Sequence, residues 1–151
     1  MEKIEKLKKI FKREGLDGYV IPKNDEFFGE YIPDHNDRLN FISSFSGSYG
    51  LALILKDKNY LFVDGRYTLQ ANNQSKKNFK VITIPDKMPS DILKSKKLII
   101  GFDPNLCTKK FISIFFGKSE CKYKPLLKNL IDEIWKRKVK KNENKFFVLP
   151  S

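Results

Sequence analysis

Two apolar segments joined by a short polar turn constrain the fold of this chain more than any other feature. Leu51 to Leu55 is apolar, Lys56 to Asn59 is polar, and Tyr60 to Val63 is apolar again. This pattern predicts a β-hairpin with two buried antiparallel strands. The second strand stops at Asp64-Gly65-Arg66-Tyr67, where we expect a helix to begin.

The segment before this hairpin is rich in serine and glycine, with the sequence Ser46-Gly47-Ser48-Tyr49-Gly50. Phosphate-binding loops lie between a strand and a helix, whereas these glycines precede a strand. We therefore interpret Gly47 and Gly50 as structural residues of a tight turn into the hairpin. Asp64 and Gly65 are the corresponding structural residues at its far end.

Strands and helices alternate along the rest of the chain, which predicts an α/β domain with a central mixed β-sheet. Between the first strand and the second helix we expect a long polar loop, Lys23 to Asp37. The aromatic pairs Phe27-Phe28 and Phe115-Phe116 are predicted to lie in the core. The predicted helices span Glu2–Glu14, a short stretch capped by Asn36 or Asp37 and ending at Phe41, Arg66–Asn73, Pro89–Lys94, Thr108–Phe116 and Asn129–Lys136; further strands are predicted at Gly18–Ile21, Phe79–Ile84, Leu98–Phe102 and Glu120–Tyr123.

The length of 151 residues suits one domain. We place it at residues 1–136 and interpret the charged segment 137–151 as a linker toward a following domain that this sequence does not contain. Phe146 to Pro150 is apolar again and has only Ser151 after it. This ending suggests a chain cut just inside the next domain.

A formal net charge of +12 raises the question of a nucleic-acid partner. The excess is nearly all lysine, and the lysines are scattered along the chain. We therefore favour a solvated basic surface and do not expect nucleic acid to be a partner. A free-standing, non-catalytic binding module for an acidic partner or nucleic acid is the alternative.

Few residues in this sequence suit catalysis or metal binding. The only histidine is His35, in the polar loop, and Cys107 and Cys121 match no metal spacing, so we expect free thiols. A carboxylate site for Mg²⁺ or Mn²⁺ would have to use one loop, so we predict no catalytic residue and no metal site. The candidate carboxylates of that loop are Asp25, Glu26, Glu30, Asp34 and Asp37.

Nothing in the sequence predicts a membrane segment or a secretion signal. No apolar run approaches the length of about 18 residues that a membrane span needs. The N-terminal helix is charged throughout and lacks the apolar core of a signal peptide. We therefore expect a cytoplasmic protein without a membrane partner.

Arg66 is expected in the first turn of a helix, where the helix dipole disfavours a cation. Two interpretations are open: a salt bridge to Asp64 or another carboxylate, or an arginine held at the surface for a partner or a substrate carboxylate. Arg38 allows the same two interpretations, with the salt bridge more strongly favoured.

These motifs resemble the N-terminal domain of the aminopeptidase P (Xaa-Pro aminopeptidase) family, of the creatinase/prolidase type. The order and spacing are similar to those of its longer, three-domain members. Phe27 departs from the pattern, since the family often has a histidine near that position. The residues that carry the resemblance are Gly18–Pro22, Gly29–Ile32, Arg38, Phe41–Ser43, Phe45, Gly47-Ser48, Gly50, Asp64–Tyr67, Gln70-Ala71, Gly101–Pro104 and Asn129–Trp135.

The resemblance implies a ribonuclease-H-like fold with helices on both faces of the mixed sheet. It implies that catalysis, with two Mn²⁺ ions, belongs to a later domain that removes an N-terminal residue preceding proline. This chain would then be non-catalytic, with a role in oligomer contacts and active-site access. Its implied partners are its own catalytic domain, a second copy in a homodimer and short proline-containing peptides. Arg38, Arg66 and Tyr67 are the implied substrate-cleft or interface contacts.

Overall fold

A computed structural model describes residues 2–137, which form an α/β domain around one six-stranded sheet. Most of the predicted linker, including Phe146 to Pro150, lies outside the described residues. The strands are β1 Gly18–Pro22, β2 Gly50–Leu55, β3 Asn59–Asp64, β4 Lys80–Ile84, β5 Ile99–Phe102 and β6 Lys122–Pro125, and the helices are α1 Glu2–Glu14, α2 Arg38–Ser43, α3 Thr68–Ser75, α4 Pro89–Ile92, α5 Lys109–Phe116 and α6 Leu130–Ile134.

The sheet is mixed and has the strand order β4-β3-β2-β1-β5-β6. The predicted hairpin forms its centre: β2 and β3 pair antiparallel, with Leu51 opposite Phe62 and Leu53 opposite Tyr60. β1 adds to β2 in antiparallel orientation, whereas β4, β5 and β6 each join a neighbour in parallel. Parallel pairs need long crossover connections, which the intervening helices supply.

Helices cover both faces of the sheet, as predicted. Alternate side chains of β2 point to opposite faces, so Ala52 and Ile54 belong to one apolar core and Leu51 and Leu53 to the other. Helices α1, α2, α3 and α6 pack on the first face, and α4 and α5 pack on the second. Near-continuous apolar strands are what a sheet buried on both faces requires.

Most predicted elements are present, and their hydrogen bonds explain where they begin and end. Asp37 caps α2, because its carboxylate accepts a hydrogen bond from the Asn40 backbone at 3.0 Å. The predicted helix at Arg66 starts as a 3₁₀ turn, Gly65–Tyr67, and continues as α3 to Ser75. β6 lies two residues later than predicted at each end, because the Lys122 and Leu126 backbones donate to β5 and the residue before it.

The prediction that Phe27 and Phe28 belong to the core is wrong. Their exposed fractions are 82% and 50%. They lie in the loop between β1 and α2, where polar residues take the buried positions: Asp25 is 2% exposed and its carboxylate accepts from the Phe27 backbone. The second aromatic pair fits the prediction better, since Phe116 is fully buried and Phe115 packs against the same core.

No helix among residues 2–137 is both long enough and apolar enough to cross a membrane.

The hairpin core predicts a matched pair of leucine substitutions. Leu53 is 0% exposed in β2, whereas Leu69 on α3 is 76% exposed. Leu53→Ala should lower the free energy of unfolding by about 2–5 kcal/mol, because it leaves a cavity in a closed core. Leu69→Ala should change it by less than about 0.5 kcal/mol. Urea denaturation measures both, and equal losses would contradict the assignment of β2 to the core.

Candidate functional site

An open polar groove lies beside the end of the hairpin and encloses about 640 Å³. We call it the polar groove. The loop between β1 and α2 forms one wall, and the serine-rich turn before β2 forms the other. Charged and polar side chains dominate the lining, which includes Lys23, Glu30, Tyr31, Asp34, Ser46, Ser48, Tyr49 and Arg66.

Tyr67 packs against the serine-rich wall of the groove. Its hydroxyl lies 2.6 Å from the hydroxyl of Ser48, and its ring meets the ring of buried Phe45 edge-on at 5.9 Å between centroids. Gly47 fits between these two rings: a Cβ added there would overlap the ring of Phe45 and lie 2.9 Å from Tyr67. The glycine is therefore needed for close packing between the turn and the start of α3.

Gly50 has a similar role at the first residue of β2, where a Cβ would lie 2.8 Å from the carbonyl oxygen of Phe62. Gly65 differs, because a Cβ there would meet no described atom within 4 Å. Of the four predicted structural residues, Gly47 and Gly50 have a steric reason to be glycine. Asp64 has a hydrogen-bonding role.

Asp64 connects the end of β3 to the next turn and holds Arg66. Its carboxylate accepts from the Arg66 backbone at 3.0 Å, as a cap, and from the Arg66 side chain at 3.2 and 2.7 Å. The hydrogen bond from the Arg66 side chain lowers the pKa of Asp64 below its ordinary value. The first of the two interpretations, a salt bridge to Asp64, is therefore present, while the Arg66 side chain, 76% exposed, still faces the groove.

Arg38 is in a different environment, since its side chain is 2% exposed. It donates to both carboxylate oxygens of Asp132 on α6, at 2.8 and 2.9 Å, and to Glu26 in the loop at 2.5 Å. Burial lowers the pKa of Arg38, because it disfavours the charged form. The hydrogen bonds to Asp132 and Glu26 have a larger effect in the opposite direction, so the pKa of Arg38 is raised. The salt-bridge interpretation thus describes Arg38 in this domain. It lies under the loop, apart from Arg66 and Tyr67.

The loop carboxylates do not converge into a metal site. Asp25 caps the loop backbone, Glu26 binds Arg38, and Asp37 pairs with Lys23. Only Glu30 and Asp34 of this set line the groove without such a structural contact among the described residues. Within residues 2–137, no three His, Cys, Asp or Glu side chains are placed to hold a metal ion. The described residues therefore do not fit the two Mn²⁺ ions implied for the parent.

The remaining candidates for chemistry, His35, Cys107 and Cys121, do not line the groove. His35 is exposed in the loop. Cys107 and Cys121 are free thiols, as expected. Burial raises the pKa of the Cys107 thiol to about 12, which suppresses formation of the reactive thiolate.

Sequence reasoning missed the carboxylates that hold Arg38. In the sequence, Glu26 is a candidate metal ligand, and Asp132 lies in the C-terminal motif Asn129–Trp135. The two residues are 106 positions apart, and nothing in a single sequence indicates that one guanidinium binds both. A buried arginine needs carboxylate partners, but the sequence alone does not indicate that Arg38 is buried.

Known proteins are similar to this chain in fold and in sequence. The Creatinase/Prolidase N-terminal domain family matches residues 3–126. A probable Xaa-Pro aminopeptidase P of Laccaria bicolor is 35% identical over 143 residues, covering 89% of this chain and 22% of that protein. The X-prolyl aminopeptidase of Caenorhabditis elegans, a cytosolic enzyme with a di-nuclear active site, superposes with a TM-score of 0.78 at 31% identity and covers 89% of this chain and 25% of that one.

The isolated N-terminal domain of the peptidase PepQ from Mycobacterium tuberculosis H37Rv has the same fold, with a TM-score of 0.68 at 20% identity. The match covers 89% of this chain and 98% of that one. The sequence match and the fold thus define a creatinase-type N-terminal domain. The chain belongs to the creatinase/prolidase N-terminal domain family, and its homologues are Xaa-Pro aminopeptidases. It spans about a fifth of the length of such relatives, 22% in the Laccaria protein.

Two glycine substitutions test the packing of the groove wall. Gly47→Ala should lower the free energy of unfolding by about 1–3 kcal/mol, because its methyl group would overlap Phe45 and Tyr67. Gly65→Ala should have little effect, because a Cβ there meets open space. Chemical denaturation measures both. A tolerated Gly47→Ala would contradict the close packing of this turn.

The Asp64–Arg66 pair predicts a specific change in titration. A carboxylate whose pKa is lowered in the folded state stabilises the fold above its ordinary pKa, 3.8, and this contribution is lost as the pH falls through the lowered value. Arg66→Gln should bring the pKa of Asp64 back toward 3.8. Carboxyl carbon NMR during an acid titration measures this shift. Arg13→Gln, at a distant exposed pair with Glu133, is the control and should leave Asp64 unchanged.

Proposed function

We propose that this chain is the non-catalytic N-terminal domain of a metal-dependent Xaa-Pro aminopeptidase, which removes an N-terminal residue preceding proline. The observation that carries the proposal is coverage: 89% of the chain aligns with only 22% of an Xaa-Pro aminopeptidase at 35% identity. A domain that matches a small part of such enzymes is best explained as one part of the same kind of enzyme. The two Mn²⁺ ions would belong to the parent's catalytic domain.

We further propose that the polar groove and its loop face the rest of the parent. Aromatic side chains on this loop are unusually exposed, with Phe27 at 82% and Tyr31 at 86%. Exposed aromatic residues beside charged ones are typical of surfaces that contact other protein parts. The loop would contribute to contacts with the catalytic domain or with a second copy in a homodimer, and would narrow the entrance for peptides.

Within the groove, Arg66 is the residue best placed to meet a substrate. Asp64 takes up part of its hydrogen-bonding capacity, but an arginine has five donors and this one remains largely exposed. The carboxylate of a short proline-containing peptide is a suitable acceptor. Tyr67 would support this role through its contact with Ser48 and the stacking of Arg66 over its ring at 5.4 Å. Arg38, buried under the loop, would act indirectly.

The parent would function in the cytoplasm.

The chain alone should not hydrolyse Xaa-Pro peptides, even with added Mn²⁺. The physical reason is that residues 2–137 provide no cluster of side chains fit to hold a metal ion. Chromatographic detection of the N-terminal residue released from a Xaa-Pro peptide measures this activity directly. A full-length aminopeptidase P assayed in parallel is the control. Turnover by the purified chain would contradict the proposal.

In the full-length protein, Arg66→Gln should raise KM for short peptides by a few fold and leave kcat within about a factor of two. A charge at the rim of a site acts mainly on substrate encounter and not on the reacting bond. Arg13→Gln removes an equally charged exposed side chain outside the groove and is the matched control. Equal effects of the two substitutions, or none, would place the groove away from the path of the substrate.

A further inference from the structure

One buried guanidinium connects three parts of the domain that are far apart in sequence. Arg38 begins α2 and is 2% exposed. Its Nε and Nη2 atoms donate to the two carboxylate oxygens of Asp132, at 2.8 and 2.9 Å. This is the bidentate geometry that fixes both the distance and the orientation of the two side chains. It joins the start of α2 to the middle of α6.

The same guanidinium closes the base of the groove loop. Its Nη2 atom lies 2.5 Å from a carboxylate oxygen of Glu26, and its Nη1 atom lies 3.4 Å from the other. Glu26 is near the beginning of the loop and Arg38 directly follows its end. Lys23 and Asp37 form a second ion pair across the same base. The tip of the loop, which carries Glu30 and Tyr31 into the groove, therefore depends on this closure.

Beyond Asp132, the same set of contacts extends into the segment that follows α6. Asp132 also accepts a hydrogen bond from Arg137. The Arg137 guanidinium lies 4.7 Å from the ring centre of Trp135, and Trp135 stacks on Phe41 of α2 with 4.6 Å between centroids and 16° between planes. Lys3 of α1 covers the same Phe41 ring at 4.2 Å. Residues 132–137, the exit segment, are thus attached to the helices that flank the loop.

We propose that Arg38 is a positioning residue that couples the groove loop to the exit segment. A buried guanidinium cannot remain unpaired at low cost, so Glu26 and Asp132 must move together with it. A shift of the exit segment would be transmitted through Asp132 and Arg38 to Glu26 and the groove. The importance of this coupling for peptide access rests on the proposed function, whereas the coupling itself is a property of this domain.

Glu26→Gln tests the coupling, because it removes one carboxylate from Arg38 while the ion pair between Arg38 and Asp132 stays available. Glu26 is 39% exposed on its side chain, so the variant should stay folded. In the 151-residue chain, amide hydrogen exchange followed by mass spectrometry should become several-fold faster both in the loop, 27–36, and in the exit segment, 132–137. Faster exchange in the loop with an unchanged exit segment would overturn the proposal.

A substitution at the other end of the network must also have an effect on the loop. Asp132→Asn weakens the bidentate contact in α6 and should accelerate exchange in residues 27–36 by a similar factor. Trp135 is the chain's only tryptophan and reports the exit segment independently. Its fluorescence should change in Glu26→Gln, because Arg137 loses its fixed position above the ring. Unchanged emission together with an unaffected loop in Asp132→Asn would contradict the coupling.

Arg66→Gln is the matched control, because Arg66 pairs with a carboxylate as Arg38 does but lines the groove itself, and among the described residues its ion pair is with Asp64 and not with Asp132. It should leave exchange in residues 132–137 unchanged. Arg38→Lys separates geometry from charge: lysine keeps the charge but cannot form the bidentate contact, so it should loosen both segments. None of these measurements involves peptide hydrolysis. Failure of the proposed aminopeptidase role would therefore leave the result intact, and the reverse also holds.

Discussion

Burial of the β2–β3 hairpin on both faces is the constraint on which the rest of the structure depends. Leu51, Leu53, Leu61 and Phe62 are at most 1% exposed, so neither face of the sheet can be left to solvent. Helices must then cover both sides, which explains the alternation of elements along the chain. The antiparallel β1 and the parallel β4 extend the hairpin on its two edges, and the crossover through α3 follows from the parallel pairing.

The polar groove is a direct result of how the hairpin begins and ends. The serine-rich turn enters β2 and the Asp64 turn leaves β3, and these two ends are neighbours because the strands are antiparallel. Gly47 allows the turn to pack against Phe45 and Tyr67, and Asp64 holds Arg66 at the surface. The opposite wall is a long loop without regular structure, which is held by ion pairs at its base. A closely packed wall and a wall held by ion pairs thus face each other.

The sequence was sufficient for the features that depend on local chemistry. The hairpin was predicted and is confirmed, whereas the cap at Asp37 and the Asp64–Arg66 pair were each one of two alternatives, and the structure selects them. Features that depend on distant residues could not be predicted. The position of β6 is set by its bonds to β5, and the burial of Arg38 is set by Glu26 and Asp132. Phe27 and Phe28 were misassigned because hydrophobicity alone does not indicate that a loop anchors itself by polar contacts. The assigned roles of Arg66 and Tyr67 toward substrate remain predictions.

The central claim is that this domain works as part of a larger peptidase. The most direct measurement is the size of the native protein in an extract of the source cells, by immunoblot with an antibody against this domain. The account predicts a band several times larger than the 17.7 kDa of this chain, since relatives such as the Laccaria enzyme are about five times longer than the matched part. A single band at 17.7 kDa would contradict it. The domain would then act alone, and a binding module for an acidic partner would become the better explanation.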